Sequence, residues 1–243
     1  MNKTRNYILT ILIPIYNEEE NIYRLQEVIN EYLPICPVSA CVLFVNDGST
    51  DNSLEFIQDI CNRNSHFYYI SLLQNGGLST AIKAGFDWIE SKYIGYMDAD
   101  MQTDIREFNK LLGYISEYPL VTGIRVQRKD TFFKRLQSKV ANSFRRMITL
   151  DKATDTGCPL KILQTVYAKR IPLFTGMHRF LPALVLLQDG GDFYEIPISH
   201  YPRKAGSSKY YLWNRLVSSF VDCFVYRWIA HRYINYQIRE RNL

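Results

Sequence analysis

The sequence lacks the features that mark a zinc-binding, secreted or membrane-spanning chain. Its five cysteines form no CxxC pair, and the cysteines and four histidines lack the spacing of a zinc site, so we expect reduced thiols in a cytosolic setting. The N-terminal apolar run passes into charged residues instead of a small-residue cleavage site, which argues against export. The longest uncharged apolar stretches fall far below the roughly 18 residues that a membrane span requires.

The chain also lacks internal repeats, low-complexity tracts and a clear linker. Its 243 residues fit one domain with a short appendage, and a hydrophobic content of 47% is ample for a core. No histidine lies within an acidic segment; the four are His66, His178, His200 and His231. We expect His178 and His200 to be structural or interfacial.

The net charge of +5 is distributed unevenly along the chain. Residues 125–170 carry twelve Lys and Arg against three acids, and residues 201–243 carry eight against two. The remainder is therefore acidic. An acidic N-terminal part joined to basic segments suggests a polyanionic partner, namely phosphates, an anionic membrane surface or nucleic acid. A solvated basic face is the simpler alternative.

Strand and helix patterns alternate through the first 125 residues. Strands are predicted at residues 8–15, 41–45, 67–73 and 120–123, with a further strand ending at residue 97; helices are predicted at 18–32, 52–63 (capped by Asp51), 78–92 and 106–118. This alternation predicts an α/β fold with a mostly parallel central sheet and helices on both faces. A basic, more helical part follows residue 125.

Polar side chains follow three of these strands. They occur in PIYNEEEN (residues 14–21), LFVNDGSTDNS (residues 43–53) and YIGYMDADMQTD (residues 93–104). If the strands are parallel, all three exits lie at one edge of the sheet. Asp98 and Asp100 then form either a divalent-cation site or a solvated acidic turn. Asp47 either accepts hydrogen bonds from a nucleobase or ribose, or belongs to an ordinary Asn-Asp-Gly turn.

Four ordered segments, PIYNEEEN, VNDGSTDNS, NGGLSTAIKAGF and DADMQ, resemble the nucleotide-sugar-binding half of glycosyltransferase family 2, which has the GT-A fold. Four further segments are GIRVQRKDTFFKRLQSKVAN, DTGCPLKIL, MHRFLPALVLLQDGG and HYPRKAGSSKYYLWNRL. They are similar to the polyprenyl-phosphate glycosyltransferases, such as dolichol-phosphate mannose synthase, bactoprenol glucosyl transferase and the undecaprenyl-phosphate aminoarabinose-type transferases. The resemblance extends from about residue 8 to about residue 221.

The resemblance implies a role for each residue that matches. The nucleotide-sugar pocket would be formed by Pro14, Tyr16, Glu18, Asp47, Asp98, Ala99 and Asp100. A Mg²⁺ or Mn²⁺ bridging the donor diphosphate would be held by Asp98, Asp100 and Gln102, whose hard oxygen atoms suit these ions. Catalysis and the phosphate contacts would involve Asp100, Arg125, Lys134, Ser138, Arg203 and Lys209. The segment RKAGSSK would close over the diphosphate as a lid.

We divide the chain into a GT-A domain at residues 1–210 and an amphipathic helix at residues 211–243. Within the domain, residues 1–124 would bind the nucleotide sugar and residues 125–210 the acceptor phosphate. An apolar stripe on the helix consists of Trp213, Val217, Phe220, Phe224 and Trp228. This stripe would lie in a membrane interface, pack on the domain or meet another subunit. Many relatives continue into transmembrane helices, so a membrane-spanning partner or a homo-oligomer is a further expectation.

The implied reaction is an inverting transfer of a sugar from a nucleotide sugar, with UDP favoured, to a polyprenyl phosphate. A phosphate monoester has its second pKa near 6, so no strong general base is required. One alternative is a family 2 enzyme that acts on a saccharide or lipid hydroxyl, which would need a base. Another is a non-catalytic polyanion-binding protein, which leaves the acidic segments unexplained; we therefore expect no nucleic-acid partner. The protein would lie peripherally on the cytoplasmic face of the inner membrane.

Overall fold

Seven strands form one sheet in the computed structural model, which describes residues 2–126, 143–201, 212–235 and 239–240. They are β1 (Leu9–Ile15), β2 (Ala40–Asn46), β3 (Phe67–Ser71), β4 (Tyr93–Tyr96), β5 (Leu120–Arg125), β6 (Lys161–Gln164) and β7 (Phe193–Ile198). Their spatial order is β3-β2-β1-β4-β6-β5-β7. Every strand runs in the same direction except β6, which pairs antiparallel with β4 and β5. The prediction of a mostly parallel sheet is confirmed.

Helices cover both faces of this sheet, as predicted. They are α1 (Ile22–Tyr32), α2 (Ser53–Arg63), α3 (Leu78–Trp88), α4 (Phe108–Leu112), α5 (residues 143–149), α6 (Thr165–Arg170), α7 (Leu181–Leu186) and α8 (Leu212–Arg232). Side chains of α1, α2 and α4 pack with Ile11 and Ile13 of β1 on one face. Side chains of α3, α6, α7 and α8 pack with Leu12 on the other. Successive β1 residues therefore serve opposite halves of the core, because side chains alternate along a strand.

Tertiary contacts shift some of the predicted helix boundaries. The helix predicted from residue 18 begins at Ile22, because the backbone N–H groups of Glu18 and Glu19 donate to the side chains of Ser53, at the start of α2, and of Asp51, in the loop before it. The helix predicted at residues 106–118 is a 3₁₀ turn, Ile105–Glu107, followed by the short α4. The expected division at residue 124 falls within β5, so strands from both proposed halves share one sheet.

The edge at which the parallel strands end is called the carboxyl edge here. The loops after β1, β2, β4, β5 and β7 leave the sheet on this edge. Because β6 runs in the opposite direction, its first residue, Lys161, also lies there, opposite Tyr96 of β4 and Thr122 of β5. Residues just before β6 therefore join the loops where ligands bind in open α/β sheets.

The last helix, α8, packs one side onto the core and exposes another. Cys223, Tyr226 and Ile229 are buried, and the Tyr226 hydroxyl donates to the Ala183 carbonyl at 3.2 Å. The apolar stripe residues Phe220, Phe224 and Trp228 remain 50%, 52% and 62% exposed, although both phenylalanines touch Phe144 of α5. The side chains of Trp213 and Val217 lie outside the described part. Within the described ranges, no helix is long and apolar enough to cross a membrane.

Candidate functional site

The loops that follow β1 and β2 hold each other in place at the carboxyl edge. Asn17 has a positive φ of 53°, and its backbone N–H donates to the Ser49 hydroxyl at 3.0 Å. The Asn17 side-chain oxygen accepts from the Thr50 backbone N–H at 2.7 Å. These bonds place Tyr16, which is 37% exposed, directly after β1 and beside the second polar segment. The first two segments thus meet in space, as the parallel-strand argument predicted.

Two further predicted residues lie on either side of Tyr16. Pro14 is in β1 opposite Val45 of β2, where it is half-buried. Glu18 accepts a hydrogen bond from the Asn21 side chain at 2.7 Å, and its backbone N–H is bound to Ser53. Both residues are therefore positioned at the wall formed by the first two loops, and their contact with a nucleotide sugar remains a prediction.

The carboxylate of Asp47 organises the loop that leads into α3. It is 3% exposed, and its two oxygens accept from the backbone N–H groups of Gly76 and Gly77, both at 2.8 Å. The Asn75 side chain donates to it at 2.9 Å. A Cβ at Gly48, whose φ is +64°, would lie 2.5 Å from the Asn75 backbone nitrogen. Asp47 therefore links the turn after β2 to the Asn-Gly-Gly loop after β3, which it holds largely by its backbone.

Asp98 and Asp100 lie at the exit of β4, with the buried Ala99 between them. The Tyr96 hydroxyl donates to Asp98 at 2.6 Å, and Asp100 accepts from the Gln102 backbone N–H at 3.2 Å. Burial raises the pKa of the Asp98 carboxyl and the charge of Asp100 raises it further, while the bond from Tyr96 opposes the rise. The two carboxylates thus repel each other, and a cation between them would relieve the repulsion.

The donor atoms at this exit fit a divalent cation. Two carboxylates and the Gln102 amide provide hard oxygen atoms, which Mg²⁺ and Mn²⁺ prefer. No group of three or more His, Cys, Asp or Glu side chains in the described ranges could hold a metal. Asp98 and Asp100 are the two carboxylates at this exit that could hold an ion, with the Gln102 amide beside them.

Arg125, at the end of β5, is held by a carboxylate that sequence reasoning did not assign. Its Nε and Nη2 atoms donate to the two oxygens of Asp155, both at 2.8 Å, and its backbone N–H donates to the same carboxylate at 3.2 Å. Burial alone would raise the pKa of Asp155, but the bonds and charge of Arg125 hold that pKa below its ordinary value. Asp155 belongs to DTGCPLKIL, one of the segments that carried the resemblance, and this membership was the signal available.

Lys161, in the same segment, is also a residue that sequence reasoning missed. Its side chain is buried, with 1% exposure, and its ammonium donates to the Cys158 carbonyl and to the Thr156 carbonyl at 3.5 Å. The ammonium lies 6.0 Å from the centre of the Tyr96 ring. Burial lowers the pKa of Lys161, and the charges of Asp155 and Asp98 counteract this. A buried positive charge therefore lies beside the last residue of β4, just before the two acids.

Four predicted phosphate-binding or catalytic residues lie outside the described residues. They are Lys134, Ser138, Arg203 and Lys209. Tyr201, just before the segment with Arg203 and Lys209, donates its backbone N–H to the Gln102 carbonyl at 2.8 Å. The chain therefore enters that segment beside a predicted metal ligand, and the roles of these four residues remain predictions.

Solved structures with this architecture include nucleotide-sugar enzymes. A mannosyltransferase from Pyrobaculum calidifontis in complex with GDP-Man and Mn²⁺ has a TM-score of 0.65 at 15% identity, over 93% of this chain and 68% of that one. Glucosyl-3-phosphoglycerate synthase from Mycobacterium tuberculosis, in complex with Mn²⁺, UDP-glucose and phosphoglyceric acid, has a TM-score of 0.66 at 11% identity, over 94% and 81%. These similarities show that the fold is GT-A.

Sequence comparison supplies the family. A dodecaprenyl-phosphate galacturonate synthase from Rhizobium johnstonii is 32% identical over 207 residues, which are 83% of this chain and 61% of that protein. The chain thus spans about three fifths of the length of this relative. The model of the glycosyl transferase family 2 matches residues 10–170, which include both the acids after β4 and the Arg125–Asp155 pair. This match confirms the resemblance drawn from the polar segments, and the chain belongs to glycosyl transferase family 2.

Proposed function

We propose that this protein transfers a sugar from a nucleotide sugar, for which we expect UDP, to the phosphate of a polyprenyl phosphate with inversion at the anomeric carbon. The convergence of Asp98, Asp100 and the Arg125–Asp155 pair at one sheet edge carries the proposal. It brings candidate metal ligands for a donor diphosphate next to a cation for a second phosphate. The similarity to a dodecaprenyl-phosphate galacturonate synthase supports the acceptor.

Asp98, Asp100 and Gln102 would hold Mg²⁺ or Mn²⁺ at the exit of β4. The ion would neutralise the charge that develops on the departing diphosphate. Tyr96 keeps the Asp98 carboxylate oriented through its 2.6 Å hydrogen bond, and the backbone N–H of Gln102 does the same for Asp100. Two structurally similar enzymes were solved with Mn²⁺ and a nucleotide sugar, which supports a divalent ion in this fold.

The acceptor phosphate needs no strong base. Its second pKa is near 6, so at neutral pH an oxygen is already available for attack. That oxygen forms a bond to the anomeric carbon as the bond to the donor diphosphate breaks, and the electron pair leaves with the nucleoside diphosphate. Asp155 is a poor base, because Arg125 occupies both of its oxygens and its pKa is lowered. This arrangement favours a phosphate acceptor over a hydroxyl.

Arg125 would meet one of the substrate phosphates. Asp155 fixes the plane of the Arg125 guanidinium, so its charge has a defined orientation before the substrate binds. The Arg125 side chain therefore loses little conformational entropy on binding. The basic residues Lys134, Arg203 and Lys209 would complete the phosphate contacts. Ser138 would add a hydroxyl contact to the acceptor phosphate.

The lipid acceptor requires access to a membrane, and we propose that α8 provides it on the cytoplasmic face. Phe220, Phe224 and Trp228 present apolar surface, while Arg232 lies over the Trp228 ring at 5.2 Å. Exposed apolar side chains flanked by cations suit an interface with anionic lipid. This supports peripheral attachment through the described helix.

Release of nucleoside diphosphate tests the proposal. The purified chain would be incubated with a UDP-sugar panel and Mn²⁺, in parallel with undecaprenyl phosphate, with a saccharide acceptor and with no acceptor. We expect rapid release only with the lipid phosphate, accompanied by a glycosylated lipid phosphate in mass spectrometry. Release that requires the saccharide would instead identify a hydroxyl acceptor. The absence of release with both acceptors would contradict transfer.

A further inference from the structure

A buried ammonium lies behind the predicted metal ligands, and the sequence motifs give it no role. Lys161 is 1% exposed and is the first residue of β6, the antiparallel strand between β4 and β5. Removing an ammonium from water costs several kcal/mol unless other interactions compensate. The contacts of Lys161 with the carbonyls of Cys158 and Thr156 compensate in part.

Lys161 connects the two sides of the site. Towards β4, its ammonium lies 6.0 Å from the Tyr96 ring, and the Tyr96 hydroxyl donates to Asp98. Towards β5, it binds carbonyls in the loop that carries Asp155, the carboxylate that fixes Arg125. Its charge acts on both Asp98 and Asp155. A neutral side chain of the same length would keep the packing of this position but remove a charge from the centre of the site.

We propose that Lys161 is a positioning residue whose buried charge sets the order in which the ligands of this site bind. The inference rests on the proposed function, because it concerns the metal and diphosphate of that reaction. A fixed positive charge near Asp98 weakens the binding of a free divalent cation by the two acids. The same charge favours the binding of a diphosphate anion beside them. The cation then binds well only together with the nucleotide, which brings its own negative charge.

Two binding measurements on Lys161→Met test this inference without relying on turnover. The probes are Mn²⁺ alone and UDP in the presence of EDTA, each titrated by calorimetry into the full chain. Loss of the charge should tighten Mn²⁺ binding and weaken metal-free UDP binding, each by about threefold to tenfold at low salt. A residue that only supports the fold would move both affinities in the same direction or leave both unchanged.

Two additional variants make the outcome unambiguous. Lys161→Gln retains an N–H donor for the Cys158 carbonyl and should show the same opposite shifts, also if the Met variant folds poorly. Lys92→Met removes an exposed lysine at the other end of β4 and should change neither affinity. Parallel shifts, or none, in a chain whose parent binds both probes would overturn this inference alone. A parent that binds UDP neither with Mn²⁺ nor without it would overturn the proposed function and the inference with it.

Discussion

Each charged residue at the carboxyl edge has a different electrostatic environment. Asp155 faces Arg125 at 2.8 Å and is held ionised, whereas Asp98 faces Asp100 and has its pKa raised by burial and by that like charge. The first arrangement stabilises the folded chain, and the second opposes it at neutral pH. Like charges that lie close together and lower the stability of the folded chain are typical of functional sites, such as those that bind an ion.

The acids after β4 should therefore be dispensable for folding and required for transfer. Asp98→Asn and Asp100→Asn each remove the charge of a proposed metal ligand, so we expect the rate of nucleoside diphosphate release to fall roughly a hundredfold or more. Because the pKa of Asp98 is raised in the folded state, Asp98→Asn should be at least as stable as the parent at pH 7. Urea unfolding and the release assay measure the two effects. Parental activity in either variant would indicate that the metal binds at another place.

Asp155 should behave in the opposite way. Asp155→Asn leaves the half-buried Arg125 without its carboxylate, and we expect a loss of roughly 2 to 4 kcal/mol in the free energy of unfolding at pH 7. The folded-state pKa is lowered, so this contribution is complete above the unfolded value of about 4 and disappears as the pH falls through the folded value.

Urea titrations from pH 8 downwards test this expectation. The difference between Asp155→Asn and the parent should stay constant to about pH 5 and shrink below about pH 4. Glu117→Gln, in an exposed turn, serves as a control for the loss of a carboxylate. A difference that does not depend on pH would mean that Asp155 contributes through packing and not through its charge.

At the scale of elements, α8 has one side buried and another exposed. Cys223, Tyr226 and Ile229 fix it to the core, so its position does not depend on the side chains that point outwards. Phe220 stacks on Phe144 with ring centres 4.6 Å apart, which extends the exposed apolar surface onto α5. The surface is therefore preformed, and a partner would not have to order it.

We expect this surface to bind anionic vesicles. Phe220→Ser combined with Phe224→Ser removes two half-exposed aromatic side chains and should weaken binding about tenfold or more without loss of the fold. Binding by the parent should also weaken with added salt, because the positive charge of Arg232 beside Trp228 contributes. Sedimentation with vesicles measures both effects.

Ile35→Ser is a matched control on the opposite face of the sheet. Ile35 is 55% exposed and lies in a 3₁₀ turn after α1, away from α8. We expect vesicle binding by this variant to equal that of the parent. Equal binding by the double phenylalanine variant would indicate that the stripe faces another protein chain, and an increase in mass at equilibrium would then identify a second copy.

At the scale of the whole molecule, ligand binding should appear in the melting temperature. The site draws on loops after β1, β2, β4 and β5, so a bound nucleotide links segments that are distant in sequence. A ligand that binds only the folded chain stabilises it by about 2.7 kcal/mol at a hundred times its dissociation constant. With Mn²⁺ present, we expect UDP-sugars to raise the melting temperature more than GDP-sugars. Stabilisation by GDP-mannose alone would contradict the choice of UDP.

The sequence by itself determined the alternation of strands and helices, the parallel sheet and the acids at its edge. These features follow from local patterns, because buried parallel strands are continuous apolar runs and charge must begin where burial ends. Asp98 and Asp100 come directly after such a run, so their place at the carboxyl edge could be inferred without coordinates.

Only the tertiary structure decided what lies behind those acids. Asp155 lies just before the antiparallel strand β6 and Lys161 begins it, and no local pattern specifies the direction of this strand. They contact Arg125 and Tyr96, which are at least 30 residues away in sequence. The late start of α1 has the same origin, since the N–H groups of Glu18 and Glu19 before it bind the side chains of Ser53 and Asp51. Local propensity determines which element forms, whereas the environment of a buried charge depends on neighbours that only the packed sheet brings together.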